Sequence, residues 1–244
     1  MSTIIEHVPP AADDVAPAPL SARLRSGTRT QHETAESQGF ITQLMRGELD
    51  RDAYADFLAQ HHAIYVALED SGEKLRAAGV DSGIVLDELV RVPSLEADLE
   101  FLFGREWRTA IDVLPETLEY AARLRELDSW LGGWVAHAYT RYLGDPSGGQ
   151  AIRALVQRHY GLGEEGVSFY HFAAIPKPKV FKDSYREKLD ALPFSSDEVD
   201  VRPAILERDA EGVITAIRTA LERKTFDKNI LPGRTSRNMS QVGG

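Results

Sequence analysis

The sequence predicts an all-α, single-domain, multi-helix bundle, and three observations carry that reading. Apolar residues recur at three- and four-residue spacing through most of the chain. Almost nothing alternates with period two, so no sheet is expected. Capping residues and prolines punctuate the segments at helix-like intervals. Residues 1–19 carry Pro9, Pro10, Pro17 and Pro19 and read as a disordered Ala/Pro-rich tail. The domain is expected over 20–228, with a flexible tail over 229–244.

Within the domain, Ser21 is expected to cap a first helix running to about Glu36. Asp50 is placed to cap a second, with Tyr54, Phe57, Leu58, His61, Ile64, Tyr65 and Leu68 at core-facing spacing. Ser94, after Pro93, opens a short helix ending near Gly104. Pro115 suits the first turn of another, reaching Leu127. A long stretch from Trp130 to Tyr160 is helical but for a run of glycines. Pro178 leads into a helix over Val180–Leu192, which Pro193 stops, and Ser195 or Ser196 starts a last helical region reaching Phe226.

Composition narrows the function classes. The 244 residues suffice for a sizeable core. A net charge of −10 argues against nonspecific nucleic-acid binding and against adhesion to acidic membrane surfaces. With no cysteine, the chain has no disulfide framework, thiolate nucleophile, cysteine-bound zinc or iron–sulfur cluster. No apolar run approaches the length of a membrane span, and the first residues lack the basic and apolar regions of a signal peptide. The cytoplasm is the expected location, and nothing in the sequence demands more than a monomer.

Two segments draw attention. In LSARLRSGTRTQHETAES, a helix puts Arg25, Arg29 and His32 at i, i+4 and i+7 on one face, and Glu36 continues the stripe. Arg25 then lies about 10 Å along the axis from His32. That is of the order of the reach from a heme iron to its propionates, so one helix can supply an imidazole to iron and a guanidinium to a carboxylate. The alternative is a solvated helix face with i,i+4 ion pairs; six other histidines are present and spacing alone does not select His32.

The second segment is WVAHAYTRYLGDPSGGQAIRALVQRHYG. Its flanks are good helix sequence, but Gly144, Asp145, Pro146, Ser147, Gly148 and Gly149 are not. One outcome is a kinked helix whose bare backbone approaches a flat ligand, with Asp145 at the kink. The other is a loop between two helices, for which Asp-Pro and Gly-Gly are turn signals.

VAHAYTRYLGDPSGGQ resembles the signature of the biliverdin-producing heme oxygenases. This sixteen-residue block departs from it only at Pro146, where the family usually has leucine. The likeness extends from about Leu20 to Leu192. The run from His32 to Glu36 resembles the family's proximal helix, Ile64 to Glu69 its second helix, and Lys182, Tyr185 and Arg186 its propionate-side helix.

The resemblance implies heme b, iron protoporphyrin IX, sandwiched between a proximal helix and a glycine-kinked distal helix, as substrate and cofactor at once. It implies oxidative cleavage to biliverdin, ferrous iron and CO, using O2 and an external electron donor, a ferredoxin or a flavoprotein reductase. It makes His32 the iron ligand, with Glu36 behind it. Gly144, Ser147 and Gly148 line the distal face. Asp145 anchors distal water, with Arg141 and Tyr65. Arg25, Tyr139, Lys182 and Arg186 hold the propionates. Pro146 restricts Asp145 toward extended backbone and supplies no N–H. The basic segments KPKVFKDSYREK and RLRSGTR form a docking patch for the donor or only solvate their helices. A carrier of the same fold would need His32 and the cations but not Asp145 beside glycine. A thiaminase-like enzyme would need the cysteine that is missing.

Overall fold

The computed structural model describes residues 18–26, 39–194, 217, 219–222 and 224, with residues 144–148 described for their backbone alone. The expected tails lie outside the described residues apart from Ala18 and Pro19. The described residues are helical, with two 3-10 turns (Asp87–Leu89 and Ser168–Tyr170) and no strand among them.

Helix α1 covers 20–26 and turns Leu20 and Leu24 into the core. Its expected cap is replaced. Ser21 sits inside the first turn, and the carboxylate of Asp190 accepts from the Ser21 N–H at 2.8 Å and its hydroxyl at 2.9 Å. A distant anion thus satisfies the helix start that Ser21 was expected to satisfy locally. Helix α2 (Gly39–Arg46), which the sequence reading did not separate, buries Phe40, Ile41 and Leu44. The Glu222 carboxylate accepts from the Phe40 N–H at its start.

Helix α3 (Arg51–Ala77) is capped by Asp50 as expected, its side chain accepting from the Ala53 N–H at 2.7 Å. It buries residues along its whole length, because α4 (Val92–Phe103), α6 (Pro115–Arg125) and α7 (Leu131–Tyr160) all pack on it. Helix α4 has Pro93 in its first turn, but Ser94 does not cap it. Glu69 of α3 accepts from the Arg91 N–H at 2.6 Å and from the Val92 N–H. A short α5 (Trp107–Ala110) anchors the buried Trp107 indole, and α6 begins on Pro115 as read.

Buried polar groups stitch these helices together. The Gln60 amide donates to the carbonyls of Asp56 and Asp112 and accepts from the Leu114 N–H and the Thr117 hydroxyl. All its capacity is used, so its burial costs little. The Ser71 hydroxyl lies 2.7 Å from the Leu124 carbonyl of α6. The Trp134 indole N–H donates to the Leu68 carbonyl at 2.9 Å. Helix α8 (Pro178–Asp190) follows the second 3-10 turn and buries Tyr185 and Leu189. Residues 217, 219–222 and 224 are helical, and Lys224 pairs with Asp56 and Asp112.

Helix α7 runs without interruption through GDPSGG, so the loop alternative is excluded. Proline removes one backbone hydrogen bond and opposes the helix by about 3 kcal/mol. Packing on both sides of the segment, α3 and α6 before it and the Ser168–Tyr170 turn after it, offsets that local cost. No helix among the described residues is long and apolar enough to cross a membrane.

Candidate active site

Of the residues singled out from sequence, His32 and Glu36 lie outside the described residues. Gly144, Asp145, Ser147 and Gly148 lie on the helical backbone of α7. Arg25 is exposed on α1. The remaining five fall into two groups, each placed by α7.

The first group joins α3 to α7. Tyr65 is fully buried and packs against the Tyr142 ring at 5.7 Å and, edge-on, the Phe169 ring at 5.5 Å. The Arg141 guanidinium lies over the Tyr65 ring, 5.1 Å from its centroid, and Arg141 is only 7% exposed. A permanent cation so deep gains from the aromatic face and raises the value of any nearby anion. Position 145 lies one turn further along α7, so it shares a face with Arg141. The helix thereby puts residue 145 one turn from Arg141, at the start of the glycine-rich stretch.

The second group joins α7 to α8. Tyr139 is buried on α7 and borders Tyr185 of α8. Burial, with the neighbouring Tyr139, holds the Tyr185 phenol far above its ordinary titration range. Its hydroxyl is buried with no hydrogen-bond partner among the described residues. Lys182 and Arg186 stand one turn apart on α8, both half-buried. Burial, and secondarily the Arg186 charge, lower the Lys182 pKa. Arg186 also pairs with Asp183 at 2.9 Å. Two cations and two phenols along one seam, one phenol lacking a partner, suit a ligand that is mainly apolar and carries carboxylates at one edge.

The described histidines are engaged elsewhere. His61 meets the Phe57 carbonyl and packs on the Phe57 and Phe169 rings. His62 faces Glu96 and Trp107. His137, buried, shares a 2.9 Å hydrogen bond with the Tyr120 hydroxyl, and burial brings its pKa down to about 4. His159 and His171 lie on the surface.

Several site neighbours escaped the sequence reading. Tyr170 packs on Gly149 and its carbonyl accepts from the Gln150 amide, Phe169 stands edge-on to Tyr65, and Asp98 holds the turn that carries Phe169 and Tyr170. The signal for Asp98 is a lone carboxylate within an apolar helix face, SLEADLEFLF, where a buried partner is needed.

An all-helical body, a long helix unbroken through glycines, a buried arginine over a tyrosine face and a cation-lined seam define a class: helical proteins that seat a flat, acid-edged ligand against a helix backbone. Residues 18–203 match the family described as Heme oxygenase. The chain is 35% identical over 176 residues to heme oxygenase 1 of Synechocystis, covering 72% of this chain and 73% of that protein. It is 37% identical over 182 residues to the heme oxygenase of Rhodella violacea, with 74% and 77% covered. Human heme oxygenase 1 is 34% identical over 207 residues, with 83% and 69% covered. The crystal structure of Synechocystis heme oxygenase-1 in complex with heme superposes with a TM-score of 0.81 at 31% identity, covering 87% of this chain and 96% of that one. Heme oxygenase from Leptospira interrogans superposes at 0.78 and 32% identity, with 83% and 100% covered. The chain belongs to the heme oxygenase family.

Proposed function

We infer that this protein is a heme oxygenase that cleaves heme to biliverdin, ferrous iron and CO at the expense of O2 and electrons. The observation that carries this reading is the block Val135–Gln150, placed whole on α7 with Arg141 buried over Tyr65 at its centre. Heme is substrate and cofactor together, and its iron supplies the O2 chemistry.

The chain's own residues bind, orient and protonate. His32 ligates the iron, a role favoured by the engagement of the described histidines elsewhere; Glu36 orients its imidazole. Arg25, Tyr139, Lys182 and Arg186 hold the propionates, and the Tyr185 hydroxyl gains a polar neighbour there. Gly144, Ser147 and Gly148 let the α7 backbone lie on the heme face. Asp145 organises water on that face and passes protons through it, with Arg141 and Tyr65 fixing its surroundings. A ferredoxin or flavoprotein reductase delivers electrons at the exposed lysines of α8, and the enzyme works as a cytoplasmic monomer.

Titration of the heme-free protein with heme, then addition of reductant under air, tests the reading by absorbance: the heme bands are expected to give way to biliverdin. Heme that stays bound and intact would make the chain a carrier. His32→Ala is expected to lose the ligand-bound spectrum. Asp145→Ala is expected to bind heme and lower the biliverdin yield at least about tenfold, about 1.4 kcal/mol of barrier.

A further inference from the structure

The glycine-rich stretch of α7 is held directly at its far end, and through Tyr65 at its near end, by one small turn that carries none of the expected site residues. The turn is Ser168–Tyr170, and it hangs from α4. Asp98 of α4 is fully buried, and its two carboxylate oxygens accept the N–H groups of Ser168 and Phe169, each at 2.8 Å. Arg91 binds the carbonyls of Phe169 and His171 and lies over the Phe172 ring, 4.1 Å from its centroid. The Tyr54 hydroxyl donates to the Gly166 carbonyl at 2.8 Å. The backbone of the turn is thus fixed by charge-assisted bonds from the carboxylate of Asp98 on α4 and the guanidinium of Arg91 just before that helix, and the segment leading into the turn by the neutral Tyr54 bond from α3.

The far side of the turn meets α7. The Phe169 ring stands edge-on to Tyr65, whose face carries Arg141 just before the stretch. The Tyr170 carbonyl accepts from the Gln150 amide at 2.8 Å just after it. At Gly149 a Cβ would lie 2.8 Å from Cδ1 of the Tyr170 ring, closer than real Cβ contacts come. That ring is 2% exposed and packs on Phe169 at 4.9 Å, so it has little room to yield.

We propose that Asp98 and Tyr170 are positioning residues for the heme face, the Ser168–Tyr170 turn bracing α7 directly just after residues 144–148 and, through Tyr65, just before them. On this view glycine is required at 149 by the Tyr170 ring, not by the ligand. The proposal rests on the heme oxygenase reading above for its consequence. Displacement of about 1 Å at a reacting centre is enough to change rates a hundredfold, so a brace that touches no ligand still governs the reaction.

The test uses the full chain in five forms: wild type, Asp98→Asn, Gly149→Ala, Tyr170→Ala and the Gly149→Ala/Tyr170→Ala double variant. In the heme-free protein, the thermal midpoints of the last three and wild type form a cycle. The alanine at 149 is expected to be harmful beside the tyrosine ring and nearly harmless without it. After loading, Asp98→Asn and Gly149→Ala are expected to bind heme, to shift the pH midpoint of the ferric heme spectrum by about half a unit or more, and to broaden the mixture of ring-opening isomers. The double variant is expected to return toward the wild-type midpoint relative to Gly149→Ala. Equal harm from Gly149→Ala with and without the ring would overturn the proposal. So would an Asp98→Asn protein with unaltered spectrum and isomer mixture; if that variant does not fold, the cycle at 149 and 170 decides. Failure of the wild type to consume heme would strike the functional reading instead, and would leave the heme-free cycle intact.

Discussion

The two halves of α7 meet the rest of the molecule in opposite ways. In the first half the helix supplies the large side chain and its neighbour supplies the gap. Trp134 lies against Gly72 of α3, where a Cβ would come within 2.9 Å of the indole. Val135, His137, Ala138 and Tyr142 are buried with it. In the second half the helix supplies the gap, at Gly149, and the 3-10 turn supplies the Tyr170 ring. Beyond that point Val156 is buried in the core and Tyr160 stacks on the Tyr54 ring at 6.0 Å, with polar contacts from Gln157 to the Gly163 carbonyl and from Arg153 to Glu164, whose side chain is 74% exposed. A helix with proline and three glycines in seven residues (Gly144–Gln150) is thus kept helical by buried anchors on both sides, a large indole before the stretch and the Tyr170 ring after it.

The comparison breaks most sharply at Trp134. Trp134→Ala empties a buried ring site and leaves the Leu68 carbonyl without its donor. A loss of about 3–5 kcal/mol is expected in urea unfolding. A loss below about 1 kcal/mol would mean that the first half is not the stronger anchor.

Titration sharpens the contrast through Glu69 and His137, two shifted groups beside the first half of α7. Burial raises Glu69 from 4.5 to about 7 against the hydrogen bonds from Arg91 and Val92. The fold therefore favours its protonated form, and its contribution to stability declines as pH rises from 4.5 to 7. Burial, and secondarily the Arg123 charge, lower His137 from 6.5 to about 4. The fold favours neutral imidazole, and that contribution is lost as pH falls from 6.5 to 4. The two oppose each other between pH 4.5 and 6.5. Glu69→Gln removes one of them, so the variant should gain stability from pH 5 to 7.5 relative to wild type, by at most about 3 kcal/mol. Chemical denaturation at the two pH values measures this, and parallel curves would contradict it.

Smaller effects are expected in the second half. Gln150→Ala removes one bond to the Tyr170 carbonyl and should cost about 1 kcal/mol. Arg153→Ala removes a pair whose acid is exposed, so a loss under about 1 kcal/mol, smaller still in salt, is expected in the same unfolding assay.

Much of the fold was legible because its signals are local. Asp50 caps α3, Pro115 and Pro178 open α6 and α8, and Gly104 ends α4, all as read. The misses share a cause. Ser21 and Ser94 look like caps in a local window, but the acceptors are carboxylates from far along the chain, Asp190 and Glu69. Helix α2 is short and follows a polar segment, so its apolar face did not stand out. GDPSGG reads as a loop on composition, and only tertiary packing keeps it helical. The α7 part of the site was legible through a dense motif. The Phe169–Tyr170 brace was not, since SFYHF reads as an ordinary apolar run until its neighbours are known.

Two bonds described above join the N-terminal part of the described chain to its C-terminal part. Ser21 meets Asp190 across 169 positions, and Glu222 meets Phe40 across 182. Contacts that close such long loops carry a high entropic cost before they are rewarded, whereas α3, α4 and α6 meet over short separations. The long closures therefore belong to the late side of the folding barrier. Weakening either one should speed unfolding and leave the folding rate near its original value. Among the described residues, the wall that carries Arg25 is expected to assemble last and let go first.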